Sequence, residues 1–62
     1  MPLVTVKLGP GRPVEIKRKI AGELTDVMVK NLDVKPEWVT VLFEELGKEN
    51  WATGGKLHSE DS

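Results

Sequence analysis

The chain has no cysteine and a single histidine among its 62 residues, which excludes both a disulfide framework and a structural zinc site of the Cys/His kind. It has no excess of either charge. Nine Lys+Arg stand against ten Asp+Glu, a net charge of −1, which argues against a nucleic-acid-binding domain, since such domains present a basic face that displaces counterions. No apolar run is long enough to span a bilayer, and the N-terminus lacks a basic segment followed by an apolar stretch. No membrane partner is expected, and the cytoplasm is the default compartment. Internal repeats and low-complexity segments are absent. What is present is a balance of 39% apolar and 31% charged residues, the composition of a globular domain and not of a disordered chain. A single domain over residues 1–62 is expected, with 59–62 as a frayed tail. A chain this short buries only about 60% of its unfolded surface when it folds alone. With disulfide and zinc excluded, oligomerisation is the remaining common source of stability.

Leu3-Val4-Thr5-Val6-Lys7-Leu8 alternates, with Val4, Val6 and Leu8 on one face, and predicts a strand. Gly9-Pro10-Gly11 ends it as a turn. From Pro13 to about Leu32 the apolar residues Ile16, Ile20, Leu24, Val27 and Met28 recur at helical spacing, with charged residues over the remaining surface. Pro13 suits the first helical position, where its missing N–H has no partner to lose. Gly22 is the weak residue of that helix, a position that could serve close packing against a sheet. The helix should stop near Asn31–Asp33, ahead of Pro36. After a Lys35-Pro36-Glu37 turn, residues 39–44 alternate again, with Val39, Val41 and Phe43 on one face, and predict a second strand. Two strands joined by a helix of this length must run parallel, in a right-handed βαβ unit. Such a sheet has one face bare, and that face needs a partner. The segment Gly47–Leu57, with Trp51 and a Gly54-Gly55 turn, reads as a loop or a small hairpin.

Few residues are arranged for chemistry. His58-Ser59-Glu60-Asp61 contains the residue types of a triad, but neighbours in a terminal tail cannot be held in triad geometry. Glu44 and Glu45 are adjacent in a strand, face opposite sides and cannot share a proton. Neither Gly9-Pro10-Gly11 nor Gly54-Gly55 has the spacing of a nucleotide-binding loop. Pro2 is different. Once Met1 is removed, as small second residues generally permit, Pro2 becomes an N-terminal secondary amine that can bind a proton. An α-amino group has an unperturbed pKa of about 7.7–8.0, and an apolar pocket or a nearby cation lowers it toward that of a general base at neutral pH. The alternative is that Pro2 merely begins an edge strand. While Met1 is retained, the Pro2 nitrogen is an amide without a basic lone pair. Arg12, in the loop before the helix, could hold a carboxylate in bidentate fashion or be an ordinary surface arginine.

Taken together, Met1-Pro2 before an alternating strand, Gly11-Arg12 before the helix, Val39-Thr40-Val41 leading to Glu44-Glu45, and Asn50-Trp51 with Gly54-Gly55-Lys56-Leu57 give a chain that resembles the 4-oxalocrotonate tautomerase family over essentially its whole length. The resemblance implies an α+β fold: a β-α-β subunit with a short C-terminal hairpin. It further implies that subunits pair into a four-stranded sheet with helices on one face, and that three such dimers form a hexamer. It implies a cofactor-independent isomerase, without a metal, acting on small-molecule enol or 2-oxo carboxylates. Pro2 would take a proton from one carbon and return one at another. Arg12 would bind substrate carboxylate in a pocket of a neighbouring subunit. Trp51 would make the pocket apolar and so depress the proline pKa, while Val39 and its strand serve as scaffold.

The departure is at Thr40, where well-known members carry a second arginine that binds the far end of the substrate and stabilises charge developing on the 2-oxo group. A threonine hydroxyl can donate a hydrogen bond but brings no positive charge. Thr40 is thus the substrate-binding position at which dicarboxylate specificity is in doubt. Trp38 beside it is a pocket wall or a subunit contact. Two other functions stay open at this level. One is a hydratase or dehalogenase of the same superfamily, which would use a protonated proline and a carboxylate-activated water. The other is a catalytically silent oligomeric module.

Overall fold

The computed structural model describes residues 1–60. Strand β1 (Leu3–Leu8) leads through the Gly9–Pro13 loop into helix α1 (Val14–Leu32), and a 3-10 turn over Pro36–Trp38 precedes strand β2 (Thr40–Glu45). A second 3-10 turn over Lys48–Asn50 leads to a hairpin of β3 (Ala52–Thr53) and β4 (Lys56–Leu57), followed by a third 3-10 turn over His58–Glu60. β1 and β2 pair in parallel, with Val4 opposite Val41 and Val6 opposite Phe43. The ladder is extended at both ends. The Thr40 N–H donates to the Pro2 carbonyl at 3.1 Å, and the Leu46 N–H donates to the Leu8 carbonyl at 2.8 Å. The C-terminal segment resolves as a hairpin, in which Gly54 and Gly55 hold φ of 63° and 79°, the left-handed pair that a two-residue turn requires.

The alternation of each strand sorts the two sheet faces. Val4, Val6, Leu8, Val41 and Phe43 are half-buried, as are Ile20, Leu24 and Met28 on one stripe of the helix, which marks the faces that the two layers turn to each other. The opposite face, made of Leu3, Thr5, Lys7, Thr40, Leu42 and Glu44, is exposed, with Leu3 and Leu42 at 62% and 49% of their free surface. Two residues of the expected helical stripe, Ile16 and Val27, are exposed as well. A helix is about 10 Å across and two strands lie about 5 Å apart, so the stripe overhangs the sheet. Lys17 sits at the overhanging end instead, and its Nζ reaches Glu45 Oε2 at 3.0 Å, tying the start of α1 to the end of β2.

Several local features differ from the sequence reading. Pro13 is the residue before the helix, in extended backbone (φ −71°, ψ 158°), and its carbonyl accepts the N–H of Ile16 at 3.1 Å. A missing N–H costs nothing there either. Gly22 serves no close approach, since a Cβ added to it would meet no atom within 4 Å. β2 begins at Thr40 because Val39 still belongs to the preceding turn, donating its N–H to the Pro36 carbonyl at 3.1 Å. The helix ends as expected, at Asp33, in the left-handed conformation (φ 55°) with its N–H on the Val29 carbonyl. Of the tail expected to fray, Ser59 and Glu60 belong to the last 3-10 turn, where Glu60 Oε1 accepts the Leu57 N–H at 3.2 Å. Asp61 and Ser62 lie outside the described residues.

No described residue is buried. The chain exposes 4918 Å², against about 4,000 Å² for a compact chain of its size. Its radius of gyration is 15.0 Å, against about 11 Å. At 44 × 24 × 13 Å it is a thin two-layer slab with an arm, and the main contacts of that arm are among its own turns and strands. A lone chain of this shape has little apolar burial to oppose its conformational entropy.

Candidate active site

The topology sorts the candidate residues to opposite ends of the sheet. Pro2 is half-buried where β1 begins, and its carbonyl holds the N–H of Thr40 where β2 begins. The strands are parallel, so these two residues share the N-terminal edge of the sheet. The Trp38 turn lies at the same edge, with Lys35 Nζ 5.5 Å from the centre of the Trp38 ring, a cation–π distance. Met1 precedes Pro2 with 96% of its surface exposed, so no packing within the chain opposes its removal.

Arg12 and Trp51 lie at the other edge. Gly11, at φ 106°, turns the chain after β1 in a conformation that suits glycine, and delivers the exposed Arg12 to the start of α1. The Lys17–Glu45 pair fixes that helix end over the C-terminal end of β2. Trp51 Cζ3 lies 3.7 Å from where a Cβ on Gly9 would stand, so its ring rests on the backbone just beyond β1. Seven residue steps at about 3.3 Å separate Pro2 from Gly9, or roughly 20 Å. One chain therefore places Pro2 and Thr40 at one end of the sheet and Arg12 and Trp51 toward the other, and does not bring the two ends to each other. No cavity is enclosed among the described residues, and no group of His, Asp and Glu among them could hold a metal ion. Among the same residues, no helix is long and apolar enough to cross a membrane.

His58, excluded from a triad by its place in a terminal run, has a structural partner that the sequence reading does not assign. Its ring stacks on Trp51 with centroids 5.1 Å apart and planes at 27°, and its Nε2 is 3.0 Å from Thr53 Oγ1. The His58 backbone N–H donates to the Trp51 carbonyl at 2.8 Å. A signal was available: counting outward from the Gly54-Gly55 turn pairs 53 with 56, 52 with 57 and then Trp51 with His58.

A thin βαβ slab with a C-terminal hairpin arm and Pro2 just ahead of its first strand defines a narrow class of small proteins. The family model for tautomerase enzymes matches residues 2–60, and the chain belongs to that family, whose members are isomerases. It is 35% identical over 60 residues to the 2-hydroxymuconate tautomerase of Bacillus subtilis, covering 97% of each chain. A solved 4-oxalocrotonate tautomerase homologue superposes with a TM-score of 0.94 at 35% identity, covering 100% of this chain and 98% of that one. A heterohexameric 4-oxalocrotonate tautomerase from Chloroflexus aurantiacus superposes with a TM-score of 0.84 at 27% identity, covering 97% of both.

Proposed function

We propose that the chain, after loss of Met1, is a cofactor-independent keto–enol tautomerase of small enol or 2-oxo carboxylates, with the Pro2 nitrogen as its general base and acid. The observation that carries this reading is the separation of Pro2 from Arg12 and Trp51 along a strand that leaves no face of the chain well covered. A two-fold axis that pairs two sheets edge to edge with strands antiparallel sets the C-terminal edge of one chain beside the N-terminal edge of its partner. Arg12 and Trp51 of one chain then approach Pro2 and Thr40 of another. The exposed Leu3 and Leu42, with Ile16 and Val27, supply apolar surface for further packing. The hexameric assembly of the Chloroflexus protein supports three such dimers as the working form, a homohexamer here.

In this site Arg12 holds the substrate carboxylate through a charge-assisted, bidentate pair and so orients the enol against Pro2. The secondary amine accepts a proton from the substrate, and the resulting ammonium returns one to a carbon of the conjugated system. One O–H or C–H bond breaks, one C–H bond forms and no electrons are gained or lost. Trp51 excludes water and disfavours the ammonium, which keeps the amine unprotonated and free to accept a proton at neutral pH. Thr40 offers a hydroxyl where a cation would stabilise a second carboxylate or a developing oxyanion. Monocarboxylate enols are therefore the better substrates.

The test is ketonisation of 2-hydroxymuconate and of phenylenolpyruvate by protein shown to lack Met1 by intact mass, beside Pro2→Ala. Activity that falls steeply when the ring amine is replaced by a primary one, with phenylenolpyruvate preferred, is the expected result. Equal rates in the two proteins would remove Pro2 from the mechanism.

A further inference from the structure

The hairpin carries an arrangement that the proton transfer does not use. Trp51 has its Cζ3 3.7 Å from where a Cβ on Gly9 would stand, and its ring stacks with the His58 ring at a centroid separation of 5.1 Å. The imidazole is in turn held at Nε2 by Thr53, 3.0 Å away, and at its backbone by the Trp51 carbonyl. The Leu57 N–H on Glu60 closes the 3-10 turn that carries His58. His58 is half-buried, while residues 48–57 around it are exposed. An exposed indole on a two-stranded hairpin would ordinarily sample several rotamers. This one is clamped.

We infer that His58 is a positioning residue of the tautomerase site: stacked on Trp51 and anchored by Thr53, it fixes the indole in the orientation that walls the pocket. The inference rests on the proposed role of Trp51, and it assigns to a histidine remote from Pro2 an effect on rate exerted wholly through another side chain. A wall held in place before substrate arrives contributes pre-organisation that a mobile ring does not.

The experiment reads the ring and the reaction separately. Near-ultraviolet circular dichroism of Trp51 is recorded with Trp38→Phe present so that one tryptophan remains, and kcat/KM for phenylenolpyruvate is measured with Trp38 intact. His58→Ala is expected to lower the Trp51 signal by more than about half and kcat/KM by about five-fold, the scale of one aromatic pair. His58→Phe keeps the stack and is expected to restore both. Combined with Trp51→Ala, His58→Ala should cost nothing further, because its effect passes through the ring. An unchanged Trp51 signal in His58→Ala, or an equal loss of kcat/KM on the Trp51→Ala background, overturns the inference. If His58→Ala fails to assemble, Thr53→Val removes only the hydroxyl anchor, and an unaltered Trp51 signal there overturns it equally. Pro2→Ala is measured in parallel. Activity that depends on Pro2 but not on His58 refutes the positioning role alone, whereas activity that is independent of Pro2 refutes the underlying reading.

Discussion

Mixing two impaired variants should regenerate activity if Pro2 and Arg12 act from different chains. Within one chain they stand at opposite ends of β1, roughly 20 Å apart by strand rise, with the Gly9–Pro13 loop carrying Arg12 away from the proline edge. Pro2→Ala replaces the secondary ring amine of every site with the unconstrained primary amine of an N-terminal alanine, which is expected to leave little activity. Arg12→Ala removes the carboxylate partner from every site, a charged hydrogen-bonded pair worth about 1.5–3 kcal/mol, so kcat/KM falls about 10- to 100-fold. In an equal mixture with free exchange of subunits, a site is complete when its proline comes from an Arg12→Ala chain and its arginine from a Pro2→Ala chain. Half of the chains qualify for each role, so about a quarter of the sites are complete in a symmetric assembly. Activity should rise from at most about 5% to about 25% of the unmodified protein. The assay is to unfold and refold the two variants together and separately, then measure phenylenolpyruvate ketonisation at equal chain concentration. If both residues served one site from the same chain, no mixed assembly would contain a complete site. Activity equal to the average of the separate variants would refute the shared site.

Thr40→Arg, which adds a cation at the proline edge, should raise the ratio of kcat/KM for 2-hydroxymuconate over phenylenolpyruvate by about ten-fold, the scale of one charged hydrogen bond; an unchanged ratio would separate Thr40 from the substrate's far end. Gly22→Ala places a methyl where no atom lies within 4 Å on an exposed helix surface, and should stabilise the chain by about 0.5–1 kcal/mol, seen as a higher urea midpoint. Lys17→Ala removes an ion pair whose side chains are 23% and 39% exposed, and should cost about 0.2–1 kcal/mol at low salt. That cost should shrink in 1 M salt, where the Debye length is about 3 Å, and a salt-independent loss would point to packing of the lysine stem.

Much of the fold is legible in the sequence because period and punctuation agree. Val4-Thr5-Val6 and Val41-Leu42-Phe43 alternate, the intervening segment has helical spacing, and a connection of that length forces parallel strands. The boundary at Val39 was not legible, since its N–H goes to a turn carbonyl and its alternation continues that of the strand. The exposure of Ile16 and Val27 also escaped, because amphipathic spacing reports that a face is apolar and not whether this chain covers it. Pro2, Arg12, Thr40 and Trp51 were marked by residue type and order, and their distribution between two ends of the sheet emerged only with the parallel register. His58 was set aside as part of a terminal run. Hairpin pairing, which brings residues seven apart face to face, is what gives it a partner.

The most direct test of the Pro2 mechanism compares chains that differ only at that nitrogen. Protein retaining Met1, in which Pro2 is an amide, is set beside protein lacking it, in which Pro2 is a secondary amine, both verified by intact mass and by assembly. The processed chain should ketonise phenylenolpyruvate, with kcat/KM falling as pH drops and the amine takes up a proton, while the unprocessed chain stays near the uncatalysed rate. Equal kcat/KM for the two chains would contradict the mechanism, since the unprocessed chain has no basic nitrogen at Pro2 to carry the proton.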